Sequence, residues 1–152
     1  MNRRHLIASL IAMPAALEAL TASAEPDQPD RSILGPTVFA WDQMKPVKTP
    51  TGEVRSLCKQ PTAKLAELEM HISTLDPGKE SHPPHLHVNE ELIILREGDC
   101  ETLSNGKWIK VEPGSVVFNA SNSLHGFRNI GSTPAVYTVV SWSPNHNGCG
   151  SV

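Results

Sequence analysis

The stretch His85-Leu86-His87-Val88-Asn89-Glu90-Glu91 places two imidazoles and two carboxylates within one short segment. Alternate side chains of a β-strand leave the same face, so His85, His87 and Glu91 would share a face. A straight strand would still hold Glu91 about 13 Å from His87, at roughly 3.3 Å per residue. We therefore expect the chain to bend or bulge at the two residues that follow His87.

A third imidazole, His125, lies farther along the chain. Neutral imidazoles and a carboxylate without a thiolate suit Fe(II), Mn(II), Zn(II), Ni(II) or Cu(II). The competing interpretation of the first segment is a solvated, polar strand end, and an isolated loop histidine such as His125 is more often a surface residue. Three imidazoles and a carboxylate within a short span nevertheless have the outline of a metal site.

The rest of the chain has the pattern of a β protein. Residues 62–75 alternate between apolar and polar side chains and end at Asp76-Pro77-Gly78. A helix would also suit part of this segment, but the flanking turns favour a strand. We expect Met70 to fill space in the core. Asn105-Gly106 is a strong signal for a two-residue hairpin. Further short apolar segments between turn residues lie at 92–95, 108–111, 116–118, 124–130 and 135–142. These short strands predict an all-β fold, either a closed barrel or a double-sheet jelly roll.

Residues 1–24 have the pattern of an export signal. A basic start is followed by an apolar run from Leu6 to Leu20 and by the small-residue site Ala22-Ser23-Ala24. Arg3-Arg4 fits a twin-arginine signal, with a Sec signal as the alternative. The run is shorter than the roughly 20 apolar residues of a membrane span. We therefore expect an exported protein, periplasmic or secreted, with no stable membrane anchor after cleavage.

Charge and length limit the class of protein. Cleavage would remove two arginines and one glutamate, which changes the formal net charge from −3 to −4 and does not favour a nucleic-acid partner. The remaining length suits one domain with its own core. We expect a flexible arm at 25–37, a barrel at 38–146 and a Gly-rich tail at 147–152.

Three cysteines, Cys58, Cys100 and Cys149, leave the disulfide pattern open. An oxidising compartment would permit one disulfide and leave one thiol over. Their wide spacing does not suit a thiolate metal site. We expect Cys58 and Cys100 to be small packing residues and Cys149 to be exposed in the tail.

The two histidine segments resemble the two motifs of the cupin superfamily. The first motif is Gly, His-x-His, Glu and Gly at set spacings, and it reads here as Gly78, His85-Leu86-His87, Glu91 and Gly98, with one extra residue after Gly78. The second reads as Gly114, Ala120, Asn122, His125 and Asn129, in which Ala120 and Asn122 replace the family's Pro and Gly. Asn tolerates the left-handed conformation that Gly would supply, so the turn can survive.

This resemblance implies a small cupin, a single jelly-roll β-barrel, in which His85, His87, Glu91 and His125 bind one metal ion and leave positions open for water or substrate. The leading hypothesis is a mononuclear metal-dependent enzyme, oxygenase-like, acting on a small molecule. Alternatives are a non-catalytic periplasmic protein that binds a small ligand or metal, and a metal-dependent isomerase or lyase. Twin-arginine export of a folded, loaded protein would favour Fe(II) or Mn(II) over copper and zinc. A homodimer is compatible with the sequence.

Other polar side chains could transfer protons or contact the substrate. His82 is a candidate fifth ligand or proton shuttle, although Pro83-Pro84 favours a place at the rim. Glu90 is a second candidate for proton transfer, although regular alternation points its side chain away from the face of Glu91. His71 and His146 are expected to be structural or exposed. Phe127 shares the parity of His125 and is placed to line a pocket. Arg96 and Arg128 have the opposite parity and should face outward, which disfavours oxalate-like dianions.

Overall fold

The computed structural model describes residues 32–144, which form nine β-strands and no α-helix. No helix in this part of the chain is long and apolar enough to cross a membrane. The all-β prediction is therefore confirmed. The strands are β1 (Val47–Thr49), β2 (Gly52–Gln60), β3 (Leu65–Leu75), β4 (Glu90–Glu97), β5 (Cys100–Ser104), β6 (Lys107–Val111), β7 (Val116–Asn119), β8 (Gly126–Asn129) and β9 (Ala135–Pro144).

The strands form two antiparallel sheets. One has six strands in the order β1-β2-β3-β9-β4-β7, and the other has three in the order β6-β5-β8. One buried apolar cluster draws residues from both sheets, which shows that the sheets pack face to face as in a jelly roll. The cluster consists of Leu75, Ile93, Leu95, Cys100, Val111, Phe127, Ala135, Tyr137 and Val139.

Two tight turns confirm the local sequence signals. Asn105 and Gly106 have φ values of 49° and 75°, the positive pair that a type I′ hairpin between β5 and β6 requires. Gly98 follows β4 with φ of 97°, and a Cβ there would lie 2.7 Å from the Cα of Ala135. Only glycine combines this backbone conformation with so close an approach.

The strand predicted at 62–75 is present as β3, but its polar positions face the interior. Glu69, His71 and Ser73 line a cavity. Met70 has the opposite parity on β3 and is therefore on the outer face of the sheet. The expectation that Met70 fills the core was therefore wrong. Alternation defines two faces of a strand, and only the pairing with β2 and β9 decides which of them is enclosed.

Several sequence predictions fall wholly or partly outside the described residues: the export signal at 1–24, the arm up to residue 31, His146, Cys149 and the tail at 147–152. The described part of the arm contains no strand, and the Leu34 amide donates to the Pro61 carbonyl at 2.8 Å. Cys58 and Cys100 are both free thiols. Cys100 is fully buried, and burial raises the pKa of its thiol to about 11, so it acts as an apolar packing residue.

Candidate metal centre

The segment before β4 brings the first two histidines to the mouth of the barrel. His85 forms an isolated bridge with His125, in which each backbone amide donates to the other carbonyl at 3.0 Å. The chain then bends at Val88 and Asn89, and β4 begins at Glu90. The expected bend is confirmed, whereas the assumption that His85 and His87 lie on the same strand as Glu91 was wrong. A continuous strand would have kept His87 too far from Glu91.

Three imidazoles meet at this mouth. Donor atoms of His85, His87 and His125 all lie within 4.8 Å of one another. The ring of His125 is 4.7 Å from each of the other two, and those two are 5.4 Å apart, measured between ring centroids. The Asn122 amide donates to the His87 carbonyl at 2.8 Å, and Asn122 has φ of 56°. The left-handed conformation expected of Asn122 is therefore present and supports the turn that leads to His125.

Each of these imidazoles is oriented by a backbone carbonyl. A carbonyl oxygen only accepts hydrogen bonds, so each Nδ1 carries the proton and each Nε2 keeps its lone pair when the ring is neutral. Metal-binding histidines are usually oriented in this way. The Nδ1 atoms of His85, His87 and His125 donate to the carbonyls of Pro83 (3.1 Å), Asn89 (2.8 Å) and Ser123 (2.7 Å), respectively.

The Nε2 atom of His125 is the strongest sign of a metal site. His125 is only 4% exposed, and its buried Nε2 has no hydrogen-bond partner among the described residues. A buried polar atom without a partner carries a desolvation cost of about 1–3 kcal/mol. A metal ion bound to this lone pair would remove the cost, so the residues present fit a divalent cation.

Glu91 lies beside the imidazoles and is held by a neighbouring strand. Its two carboxylate oxygens are 3.9 Å from the Nε2 atoms of His87 and His125, which is too long for direct hydrogen bonds. The Nδ2 of Asn119, which pairs with Glu91 across β4 and β7, donates to Oε1 at 3.0 Å. Asn119 is not among the residues predicted from the sequence, because its contact with Glu91 depends on a long-range strand pairing.

The two candidates for proton transfer lie outside this group. His82 is exposed, and its ring stands edge-on at 5.2 Å from the ring of His85, as expected of a rim residue. Partial desolvation and the neighbouring His85 lower the pKa of His82. Glu90 is on the opposite face of β4, where its carboxylate accepts a hydrogen bond from Trp142 Nε1 at 3.1 Å.

A cavity of about 520 Å³ adjoins the histidine group, within the size range of small-molecule sites. Phe127 lines it, as expected, and so do Glu69 and His71. His71, expected to be structural or exposed, is thus half-buried on the cavity wall. Its Nδ1 lies 3.8 Å from Glu69 Oε1, and burial is the main cause that lowers the pKa of His71. The polar alternation Glu69-x-His71-x-Ser73 was the sequence signal for this wall.

The two arginines face away from the cavity, as predicted. Arg128 donates from Nε and Nη2 to Glu101 Oε2 at 2.9 and 2.6 Å, and its guanidinium lies 3.9 Å from the centre of the Trp108 ring. Arg96 is exposed at the end of β4. Neither side chain lines the cavity.

Comparison with known proteins identifies the fold. Residues 71–141 match the family model Cupin_2, described as Cupin domain. KdgF from Halomonas sp. has 14% identity and a TM-score of 0.62, covering 74% of this chain and 98% of that one. A Cupin 2 conserved barrel domain protein from Salinispora arenicola CNS-205 has 23% identity and a TM-score of 0.57, covering 72% and 91%.

A third similar structure is the polyketide cyclase RemF from Streptomyces resistomycificus. It has 21% identity and a TM-score of 0.57, and the match covers 71% of this chain and 80% of that one. At these identities the similarity establishes the fold and not the reaction. No curated protein matches the sequence.

Proposed function

We propose that this chain, whose residues 71–141 match the Cupin domain model and whose fold is similar to that of cupin structures, is a small mononuclear metal-dependent enzyme of the oxygenase type. Its substrate would be a small molecule bound in the cavity of the barrel. The observation that carries the proposal is the buried, unpartnered Nε2 of His125, which lies among the imidazoles of His85 and His87.

The metal would be held by His85, His87 and His125, with Glu91 as the fourth ligand. Bound Fe(II) or Mn(II) would supply Lewis-acid or redox chemistry through its open coordination positions. The protein contributes orientation. The carbonyl bonds at the three Nδ1 atoms fix the rings, and the amide of Asn119 holds the Glu91 carboxylate. Such outer partners strengthen ligand basicity and metal affinity.

His71 is the residue we propose for proton transfer. It lines the same cavity as the histidine group without being part of that group. Its lowered pKa, caused mainly by burial, favours the neutral imidazole at neutral pH, which is the form that accepts a proton. The carboxylate of Glu69, 3.8 Å from Nδ1, would stabilise the imidazolium once the proton is taken up.

Metal selection is linked to the proposed export. A His3Glu site that folds outside the cytoplasm would tend to capture copper or zinc, because divalent affinity rises toward copper. Folding and loading before twin-arginine export would allow Fe(II) or Mn(II) to be installed first. A leader that fails to direct a folded reporter through the twin-arginine route would remove this support for Fe(II) or Mn(II) and leave the ligand set unchanged.

A metal-dependent isomerase or lyase is the second candidate. The observation that favours it is the His71–Glu69 pair inside the cavity, since such reactions need an acid–base group and no O2. A structurally similar protein is described as a polyketide cyclase. Oxygen consumption distinguishes the two reaction types.

The test is an activity screen of the Fe(II)- and Mn(II)-loaded protein with catechols, small hydroxy acids and sugars, recording O2 uptake and product formation. We expect turnover that falls at least about 100-fold in His87→Ala. Glu112→Gln, at a side chain that is 76% exposed, serves as the control and should match wild type. Turnover without O2 uptake would support the isomerase or lyase. Tight ligand binding without turnover would support the non-catalytic binding protein, and equal activity in His87→Ala would contradict the proposal.

A further inference from the structure

We infer that the cavity selects a small molecule whose end farthest from the metal is a cationic hydrogen-bond donor such as an amine, and that Glu69 recognises this end. The inference rests on the proposed metal centre and adds the class of ligand. Charged side chains on the inner wall of the six-stranded sheet point to this class of ligand.

Glu69 is placed opposite the metal ligands on the same inner face. Glu69 of β3 and Glu91 of β4 each pair with Ser141 of β9, from its two sides. Two strand spacings separate their Cα atoms by roughly 10 Å. Both carboxylates line the cavity. A small molecule bound to the metal near Glu91 would therefore extend toward Glu69.

Two carboxylates and one ammonium group lie together on the wall around Glu69. The register of β2 shifts between Ser56 and Cys58, and this shift places Lys59 opposite Glu69. Lys59 Nζ lies 2.6 Å from Glu69 Oε2 and 3.8 Å from Glu67 Oε1, so two carboxylates surround one ammonium group. The other oxygen of Glu69, Oε1, is 3.8 Å from His71 Nδ1. That distance leaves Oε1 able to accept a hydrogen bond from a ligand.

Apart from the proposed metal ion, no cationic side chain of residues 32–144 lines the cavity to receive an anionic ligand. Among the described residues, neither Lys nor Arg lines the 520 Å³ cavity, and Lys59 lies at the adjoining mouth with its two carboxylates. Arg55 donates instead to the Met44 carbonyl, and Arg128 is bound to Glu101. A carboxylate at the far end of a ligand would be desolvated next to Glu69, where the ammonium group of Lys59 already faces two carboxylates.

The remaining lining suits a molecule with an apolar body. Val54, Leu75, Ile93 and Val139 supply aliphatic walls, and Phe127 packs against Tyr137 at a ring-centroid distance of 4.8 Å. Burial of the Tyr137 hydroxyl raises its pKa to about 12, so it remains uncharged. The cavity thus places the metal ligands and the carboxylate of Glu69 on two sides of its mouth, with apolar walls deeper in the barrel.

Two catechols of matched size test the inference. Dopamine and 3,4-dihydroxyphenylacetate share the metal-chelating end and differ at the far end, which is an ammonium in one and a carboxylate in the other. Full-length protein loaded with redox-inactive Zn(II) is titrated with each by calorimetry without O2. We expect dopamine to bind at least about tenfold more tightly. At the effective dielectric near a protein surface, the Glu69 carboxylate attracts an ammonium group and repels a carboxylate strongly enough to produce this difference in affinity.

Glu69→Gln keeps the shape of the side chain and removes its charge. It should reduce the preference for dopamine to about threefold or less, whereas Glu112→Gln removes a charge at an exposed site and should leave the preference unchanged. Metal content and circular dichroism are measured for every variant, since Glu69 is not a proposed ligand and its replacement should alter neither.

Each outcome decides the inference. A ratio near one, tighter binding of the carboxylate, binding of neither probe, or an unchanged preference in Glu69→Gln would overturn it. If the wild-type protein still holds one Zn(II) lost in His87→Ala, the proposed metal centre survives that failure. A wild-type protein that holds no Zn(II) would instead refute the metal centre and the inference with it.

Discussion

The two ends of the barrel interior are built on the same strands and differ in chemistry. On β3, β4 and β9 the mouth carries Glu69, Glu91 and Ser141, whereas the opposite end carries Leu75, Leu95 and Ala135. The three residues at the opposite end are buried to 2% exposure or less. The inner face of each strand thus changes from polar to apolar along its length. Residues at the apolar end therefore mainly stabilise the fold, and residues at the mouth mainly provide the binding chemistry. Substitutions can alter the two ends separately.

Phe127→Ala, at the apolar end, should cause the largest change, which is a loss of unfolding free energy. The side chain is 2% exposed and packs within the core cluster of both sheets. Truncating a buried phenylalanine typically costs about 3–5 kcal/mol. Urea unfolding of the metal-free protein measures the change. A loss below about 1 kcal/mol would contradict the assignment of this end to stability.

Asn119→Ala should act at the mouth and lower metal affinity by about 10- to 100-fold, with a smaller effect on unfolding than Phe127→Ala. The reason is the loss of the 3.0 Å hydrogen bond from Asn119 Nδ2 to Glu91 Oε1. Competition with a chelator of known affinity measures it. Asn105→Ala, a change of the same side chain at the distant β5–β6 hairpin, is the control, and an equal drop in affinity there would remove the argument for Asn119.

The smallest predicted effect is the contribution of His71 to the pH dependence of the unfolding free energy. Desolvation is the largest cause that lowers its pKa, and His82 and Lys59 act in the same direction, while Glu69 and Glu91 oppose it. The unfolded state therefore binds more protons than the folded state as pH falls below the ordinary histidine pKa of about 6.5. Stability contributed by His71 is fully present above that pH and decreases below it.

His71→Gln removes this titrating group from the metal-free protein. The variant should lose less stability than wild type between about pH 7 and pH 5, measured by urea unfolding at each pH. The difference between the two proteins isolates His71 from the other histidines. Parallel pH profiles would show that His71 is not desolvated in the cavity.

Features set by local chemistry were predicted from the sequence. The Asn105-Gly106 hairpin, the bend after His87 and the left-handed Asn122 follow from turn preferences and from the distance that the ligands must close. The outward direction of Arg128 followed from strand alternation. The grouping of His85, His87 and His125 followed from the motif spacing.

Features set by long-range pairing were not predicted. The inner position of His71 depends on which face of β3 meets the rest of the barrel, and alternation treats both faces alike. The place of Lys59 beside Glu69 depends on a register shift in β2. The bond between Asn119 and Glu91 depends on the pairing of β4 with β7. Each of these requires contacts between segments that are far apart in the sequence.

The most direct test of the metal centre is the metal content per chain of protein expressed with residues 1–24, the proposed leader, in place, measured by mass spectrometry for wild type and His87→Ala. The account predicts close to one iron or manganese ion per wild-type chain and almost none in His87→Ala, with circular dichroism unchanged between the two. A folded wild-type protein that retains no metal, or a His87→Ala variant that retains as much as wild type, would contradict it.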